Sequence, residues 1–517
     1  MKRIMYISVF ISIIVLQGLV LADENKKISP ELGINLAGPA DWNTELPFVD
    51  VFRLSRKWIS QQKGQPWGKG PALELDSKGW VKKLKDNCWA ETLMCTIDGG
   101  HYPSGNYTVL YEGKGRLEFG GSGSIVSREP GKLVVKVDSK KGTIFLRLME
   151  TDATDPVHDI KMIMPGYEKN YQKQIFHPSL LKRWKDVKCI RFMDWMETNG
   201  SDIVSWSDRP ELLDATYSAK GIPVEVMVEL CNRLKVDAWF CMPHKANDDY
   251  IRNFARYVNS NLAPELKVYV EYSNEVWNSM FAQNHYAQQK AKELALGNKE
   301  RPWEGGGMYY AKRSVEIFKI FRKVFDNKER VVRVLAWQSG NTWWMENVVL
   351  TYEDAYKDAD ALAIAPYIGM GVPANGKNLT AEQVAKWTVN EILDFLEKEA
   401  LPKSIKAINA SKQVADKYGL ELLAYEGGQH MVGIAGGENN EQMNELFYAC
   451  NSHQRMGEIY TKYFDAWEKA GGGLFCYFSS VSKWSKWGSW GALQYWDDNI
   501  KKSPKYKAVM DWGQKIK

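Results

Sequence analysis

The stretch KVYVEYSNEVW (residues 267–277) has the pattern of a buried strand that opens into a polar loop. Its apolar run, residues 268–270, is typical of strands covered on both faces. The turn-favouring residues Ser273 and Asn274 end the run, and Glu275 follows directly. A carboxylate placed there has a rigid strand beneath it and an open mouth above, as a catalytic acid requires. A single Glu at a strand end is more often merely solvated, so the interpretation depends on the rest of the chain.

Seven further apolar runs recur along the chain, and segments with helical periodicity separate most of them. The runs are LGINLAG (32–38), VKCIRFMDW (187–195), AWFCMPH (238–244), VVRVLAWQS (331–339), ALAIAPY (361–367), LELLAYEGG (420–428) and GLFCYFSS (473–480). Eight buried strands that alternate with helices predict an α/β fold, a (β/α)8 TIM barrel. An open, doubly wound sheet is the alternative, but no GxGxxG or P-loop motif follows the first run.

Residues 75–166 interrupt the alternation. Short β-prone pieces such as NYTVLYEG and GTIFLRLME occur there, between turns rich in Gly, Ser, Asp and Pro. This pattern predicts a small all-β sandwich of about six strands, inserted between barrel strands one and two. The barrel itself is expected to comprise residues 23–74 and 167–517. The sandwich either binds glycan or only flanks the mouth of the barrel, and the lack of an aromatic cluster favours the structural role.

The N-terminus predicts export. Lys2 and Arg3 precede an apolar run, residues 4–21, and the polar segment 23–25 follows Ala22. This is the pattern of a cleavable secretory signal peptide, residues 1–22, cut after Ala22. We therefore expect a secreted or periplasmic protein with no membrane association after signal removal. An uncleaved anchor is the alternative, because the run approaches the ~18 residues that can span a bilayer.

Charge and cysteine content exclude several classes of function. A net charge of +5 over 517 residues is too small and dispersed to indicate nucleic-acid binding. The seven Cys form no CxxC motif and no close Cys/His cluster, so neither a metal nor a cofactor is expected. The 21 Trp, 25 Tyr and 18 Phe favour a carbohydrate substrate, because aromatic faces pack on sugar rings, although Trp also fills large cores. The oligomeric state is left open.

Function in such a barrel lies at the carboxyl ends of the strands. The polar and aromatic residues at the eight predicted ends form the candidate site: Arg191, Asp194, Trp195, His244, Asn274, Glu275, Trp337, Tyr367, Glu426, His430 and Trp484. Two of them, Glu275 and Glu426, are expected to face each other across the mouth. Paired carboxylates suit glycosidic-bond cleavage, in which one donates a proton to the leaving oxygen and the other attacks the anomeric carbon. Other acids, including Glu271, are interpreted as structural or solvated.

Asn-Glu at the end of strand four, with Glu at the end of strand seven, resembles the retaining glycoside hydrolases of clan A. The resemblance implies that Glu275 is the acid/base and that Glu426 is the nucleophile. It also implies that Asn274 binds the sugar 2-hydroxyl, and that Arg191 and Tyr367 lie beside the nucleophile. Val276 stands where the clan often has Pro, and no individual family is identified.

The same resemblance implies an aromatic residue beneath the sugar that is cleaved, contributed after strand eight. Trp484 is the preferred candidate for this position, and Phe478 competes with it. The roles of Asp194, His244 and His430 are open between substrate contact and loop structure.

The sequence thus predicts an exported retaining O-glycosidase that acts on a polysaccharide or oligosaccharide by double displacement. A second hypothesis is a non-catalytic glycan-binding protein on a degenerate barrel. A third is a metal-dependent barrel hydrolase that uses His244, His430 and nearby acids, but the chain has only seven His and no HxH pair after strand one. The sugar, the linkage and exo or endo action are left open.

Overall fold

Eight parallel strands close into a barrel in the computed structural model, which describes residues 30–297, 299–376 and 379–516. In chain order they are β1 (Glu31–Asn35), β2 (Cys189–Arg191), β3 (Asp237–Met242), β4 (Val268–Tyr272), β5 (Val331–Ala336), β6 (Ala361–Ile364), β7 (Glu421–Ala424) and β8 (Leu474–Tyr477). Each strand pairs with the next, and β8 pairs back with β1. The predicted (β/α)8 barrel is confirmed. The predicted signal peptide lies outside the described residues.

Alternation along the strands separates two packing layers. In β4, Val268 and Val270 pack outward against the helices, whereas Tyr269 points into the barrel and stacks on Trp239. In β1, Gly33 leaves room for the neighbouring strands, because a Cβ there would lie 2.6 Å from the Cys476 sulfur. The barrel interior is therefore filled with side chains, and open space begins only above the strand ends.

Helices cover the outside of the barrel. They are α1 (Pro178–Trp184), α2 (Val224–Leu234), α3 (Asp248–Asn261), α4 (Ala282–Glu293), α5 (Gly305–Val324), α6 (Thr342–Trp344), α7 (Ala381–Val384), α8 (Val389–Phe395), α9 (Leu401–Lys417), α10 (Glu441–Ser452), α11 (Gln454–Ala470) and α12 (Pro504–Lys515). Within the described residues, no helix combines the length and apolarity needed to cross a membrane. All seven cysteines lie in the described part of the chain, where each is buried and unpaired.

The segment between β1 and β2 carries an antiparallel insertion, residues 59–163, built from two four-stranded sheets. One sheet contains Ile59–Gln62, Cys88–Met94, Ile144–Thr151 and Gly115–Gly121, and the other contains His158–Ile163, Gly105–Glu112, Lys132–Val137 and Gly123–Glu129. Two short strands, Glu74–Leu75 and Val81–Lys83, form a separate pair. The insertion thus begins upstream of residue 75, where the sequence placed its start. The sequence did not indicate its first strand, because the largely polar segment ISQQ (59–62) lacks the alternation by which a strand is recognised.

The insertion leaves the barrel at the carboxyl end of β1, so it lies on the mouth side. Its Trp80 indole donates to the Leu213 carbonyl at 3.2 Å, in the loop after β2. The loop after β8 reaches it from another side, where Trp496 donates to the His101 carbonyl at 3.0 Å and Tyr495 stacks on the His101 ring at 3.7 Å. A parallel pair, Ile368–Pro373 with Gln429–Ile434, extends the rim beyond β6 and β7.

Candidate active site

Glu275 stands at the carboxyl end of β4, in a tightly turned segment. Ser273 and Glu275 have φ values of 59° and 42°, in the left-handed region that L-residues rarely occupy. Such backbone strain persists where the surrounding structure holds it, and it concentrates at functional sites. Here Gln283 of α4 fixes the turn by donating to the Asn274 carbonyl at 2.8 Å. The turn keeps the Glu275 carboxyl at the mouth of the barrel.

Neutral donors surround the Glu275 carboxyl. The Asn278 amide donates to one oxygen at 3.0 Å and the Tyr425 hydroxyl donates to the other at 3.2 Å. Burial raises the pKa of Glu275 to about 7, and the negative charge of Glu426 acts in the same direction. Glu275 therefore can hold a proton near neutral pH.

Glu426 lies across the mouth, directly after β7, in a different environment. The buried Arg191 guanidinium donates to one of its oxygens at 2.8 Å, and the Tyr367 hydroxyl donates to the other at 2.9 Å. Burial and the Glu426 charge raise the pKa of Tyr367 well above its usual range, so this hydroxyl remains a donor. A guanidinium contact of this kind stabilises negative charge on a carboxylate.

Arg191 is the fully buried centre of the site. Besides Glu426 it binds Glu271, whose nearest oxygen lies 2.9 Å away, and it donates to the side-chain oxygens of Asn35 and Asn274 at 3.1 and 2.8 Å. The Trp239 indole also donates to Glu271, at 2.9 Å. One cation thus serves two buried carboxylates, which is tolerable only because further hydrogen bonds satisfy both of them.

Glu271 is a site residue that the sequence interpretation missed. It is 1% exposed, and burial raises its pKa while Arg191 opposes the rise. Inward-pointing Tyr269 lies two residues earlier, so strand alternation alone places Glu271 inside the barrel. Tyr425, Asn35, Asn199 and Asn278 were also missed. The Asn199 oxygen accepts from the Asn274 amide at 3.1 Å.

Asp194 and His430 lie on the Glu426 side of the site. Burial, followed by the Glu426 charge, raises the pKa of Asp194 to about 7. The His430 ring lies 5.3 Å from the Tyr367 ring, and its Nδ1 accepts from the Trp490 indole at 2.9 Å. Because Nδ1 accepts, His430 is neutral, and burial lowers its pKa accordingly.

Four other predicted site residues have their contacts with residues other than the two glutamates: Trp195, His244, Trp337 and Trp484. The Trp195 indole donates to the Ala37 carbonyl, and its ring packs in the core. Both ring nitrogens of His244 are buried without a hydrogen-bond partner among the described residues, and burial lowers the pKa of His244 to about 4. Trp337 packs between Tyr310 and Trp344, beside the segment that follows Glu275.

Trp484 lies in a separate cavity of about 210 Å³, where the Nζ atom of buried Lys505 lies 5.0 Å from its ring. Its indole donates to the Gly491 carbonyl at 3.2 Å. Phe478, the competing candidate, lies nearer the glutamates, with its ring 6.5 Å from that of Tyr367 and 5.8 Å from that of Trp490.

Chemically, the site combines one carboxyl that can hold a proton near pH 7 with one carboxylate anchored by a cation. Carboxyl pairs whose environments differ in this way can divide acid and nucleophile roles between them. Within the described residues, no group of three or more His, Cys, Asp and Glu side chains is placed to hold a metal ion.

No protein-family model matches the chain, and no curated protein matches it. Among solved structures, it is similar to a Bacteroidetes-affiliated GH5 cellulase linked with a polysaccharide utilization locus, at 9% identity and a TM-score of 0.38, over 65% of this chain and 84% of that one. It is also similar to the endo-beta-1,4-mannanase from Thermotoga petrophila, at 10% identity and a TM-score of 0.34, over 65% and 72% of the two chains. A third is the GH53 catalytic domain from Ignisphaera aggregans, at 10% identity and 0.34, over 65% and 89%.

Proposed function

We propose that the protein is an exported retaining glycoside hydrolase that cleaves O-glycosidic bonds of a polysaccharide or oligosaccharide. The observation that supports it most strongly is the contrast between the two glutamates. Glu275 is buried among neutral donors with its pKa raised to about 7, whereas Glu426 is bound by the Arg191 guanidinium. Export rests on the signal-peptide pattern of residues 1–22.

The proposed reaction has two steps. Glu275 donates its proton to the glycosidic oxygen while a Glu426 oxygen attacks the anomeric carbon, so the C–O bond breaks and a glycosyl ester forms. The leaving sugar departs as an alcohol. Glu275, now ionised, takes a proton from water, whose oxygen attacks the same carbon and releases Glu426. Arg191 and Tyr367 stabilise the Glu426 carboxylate before attack and after release.

The first experiment replaces each carboxyl by its amide, after a glycan screen has identified a substrate. Glu275→Gln and Glu426→Gln are each expected to lower kcat by about 10²–10⁴-fold or more, because each step needs both groups. The fold should persist, since Arg191 keeps Glu271 as a partner. The exposed Glu329→Gln variant is the matched control and should retain full activity.

Azide separates the two roles. A Glu426→Gly variant supplied with azide should form a glycosyl azide of inverted configuration, and NMR of the first wild-type product should show retention. Full activity of either amide variant would reject the assignment, and an inverted wild-type product would reject double displacement. Binding of glycans without turnover would favour the non-catalytic alternative.

A further inference from the structure

A cleft adjoins Glu275 between the loops that follow β4 and β5. Its volume is about 290 Å³, and its lining includes Val276, Trp277, Trp303, Trp337, Gln338 and Trp344. Val276 and Trp277 follow Glu275 directly in the chain, and the Asn284 amide of α4 fixes them by donating to the Val276 carbonyl at 2.7 Å. The cleft therefore lies next to the candidate acid, on the side of the loop that follows it.

Aromatic rings form much of the cleft surface. Trp337 and Trp344 stack with ring centroids 5.8 Å apart and planes 24° apart. Trp303 is 54% exposed, and its carbonyl accepts from the Gln288 amide at 3.2 Å, which ties this edge to α4. Gly307 at the start of α5 allows close packing here, because a Cβ would lie 2.8 Å from Val348 and 3.2 Å from the Trp344 ring.

The polar groups of the cleft are all neutral. Amide side chains of Asn284, Gln288, Gln338 and Asn341 lie around the indoles, and every described residue that lines the cleft is uncharged. A cavity of about 410 Å³ near the loop after β2 differs sharply, since Glu197, Asp202, Asp208 and Lys220 line it. Flat apolar rings edged by amide donors and acceptors match a sugar ring, which has an apolar face and a hydroxyl edge.

The position of the cleft decides which part of a glycan it can hold. A general acid must reach the glycosidic oxygen, and the group that leaves with that oxygen lies on the side of the acid. We propose that the cleft after β4 and β5 binds the leaving-group portion of the substrate, and that it accepts neutral sugars rather than uronic acids. This inference rests on the proposed function. On this inference a leaving saccharide contacts the indoles of the cleft, whereas a small phenol leaves most of that surface uncovered.

The kinetic test compares substrates that differ only in leaving group. The probes are 4-nitrophenyl β-glycosides and the corresponding β-1,4-linked gluco-, manno- and xylo-oligosaccharides. Trp303→Ala should lower kcat/KM about tenfold more for the oligosaccharide than for the nitrophenyl glycoside, because only the former covers the indole. Trp67→Ala, at a tryptophan of similar exposure (56%) on the insertion, should leave that ratio unchanged. Equal losses on both substrates would overturn the proposal.

A binding measurement keeps the cleft testable apart from catalysis. In the Glu275→Gln background, calorimetry with the same neutral oligosaccharides should show weaker binding after Trp303→Ala and unaltered binding after Trp67→Ala. Equally tight binding of oligoglucuronates through Trp303 would refute the neutral specificity. Trp303-dependent binding without any wild-type turnover would reject the glycosidase and retain the cleft, so the two failures are distinguishable.

Discussion

Glu275 and Glu426 carry the same carboxyl group, yet neutral donors contact the first and a guanidinium contacts the second. Neutral donors and burial raise the pKa of Glu275 to about 7, whereas a guanidinium and a phenol hold Glu426. The charge of Glu426 itself adds to the rise at Glu275. The Glu426 charge thus helps to keep a proton on Glu275, so the two carboxyls are electrostatically coupled.

This coupling predicts an alkaline limit to activity. The first step of the proposed reaction needs protonated Glu275, so kcat/KM for oligosaccharides should fall as pH rises through about 7, where that proton is lost. A 2,4-dinitrophenyl glycoside should show a much weaker fall, because its leaving group needs no proton. The measurement is a pH profile of kcat/KM for both substrates.

Asp194 complicates that profile, since its pKa is also raised to about 7. An Asp194→Asn variant should retain the alkaline limb if Glu275 is the titrating group. Disappearance of the limb in Asp194→Asn, or an equal limb with both leaving groups, would contradict the assignment.

At the residue scale, the sequence predicted which acids end β4 and β7 but not how they are connected. Position after an apolar run was enough to select Glu275 and Glu426. The sequence interpretation did not select Glu271, because a buried carboxylate is rare unless it is paired. Its partner Arg191 lies 80 residues earlier in the chain. Only the closed barrel shows that the two meet.

Among the elements, the loop that follows β8 (residues 478–499) joins the barrel to the insertion. Besides the indole bond to His101, the backbone of Trp496 donates to the Thr44 carbonyl at 2.9 Å and accepts from Arg183 at 2.6 Å. The ion pair between Lys483 and Asp98 adds a second connection. The insertion therefore helps to shape one wall of the mouth.

Removing the Trp496 side chain should loosen the loop that follows β8. Trp496→Ala is expected to lower the free energy of unfolding by about 1–4 kcal/mol, because packing and the indole bond are lost while the ring is only partly buried. Faster hydrogen exchange should be confined to residues 483–499 and their contacts. Trp487→Ala, at a 62% exposed tryptophan in the same loop, is the matched control. Equal effects of the two substitutions would contradict the anchoring role.

The barrel strands were predictable as elements because each is a compact apolar run. The strand at Ile59–Gln62 was not, since its pairing with Cys88–Met94 rather than its own pattern makes it a strand. Trp484, Trp487 and Trp490 recur every third residue, and spacing could not tell which of them approaches the glutamates. The bond from Trp490 to His430 and the placement of Trp484 over Lys505 depend on tertiary contacts.

On the scale of the whole molecule, the insertion and the barrel share a hydrophobic cluster. The insertion core, which includes Tyr107 and Leu146, packs against Ala215 from the loop after β2 and against Tyr495 and Trp496 from the loop after β8. Neither unit can expose this surface without cost, because apolar burial contributes about 25 cal/mol per Å².

Shared packing predicts a single unfolding transition for the whole chain. Calorimetry should give one peak, with a calorimetric enthalpy close to the van't Hoff enthalpy. Intrinsic fluorescence and far-UV circular dichroism should give the same midpoint. Two resolved transitions would show instead that the insertion folds as a separate unit.

The hydrogen-bond network at Arg191 joins distant parts of the chain, so its contacts can form only in a certain order during synthesis. During synthesis Glu271 follows Arg191 by 80 residues, whereas Glu426 follows it by 235. Asn35 donates to the Cys476 carbonyl, 441 residues downstream, so the ring of strands closes only after β8 has left the ribosome. Of the two carboxylates that hydrogen-bond to Arg191, Glu271 is thus made first, and Glu426, the proposed nucleophile, is made last.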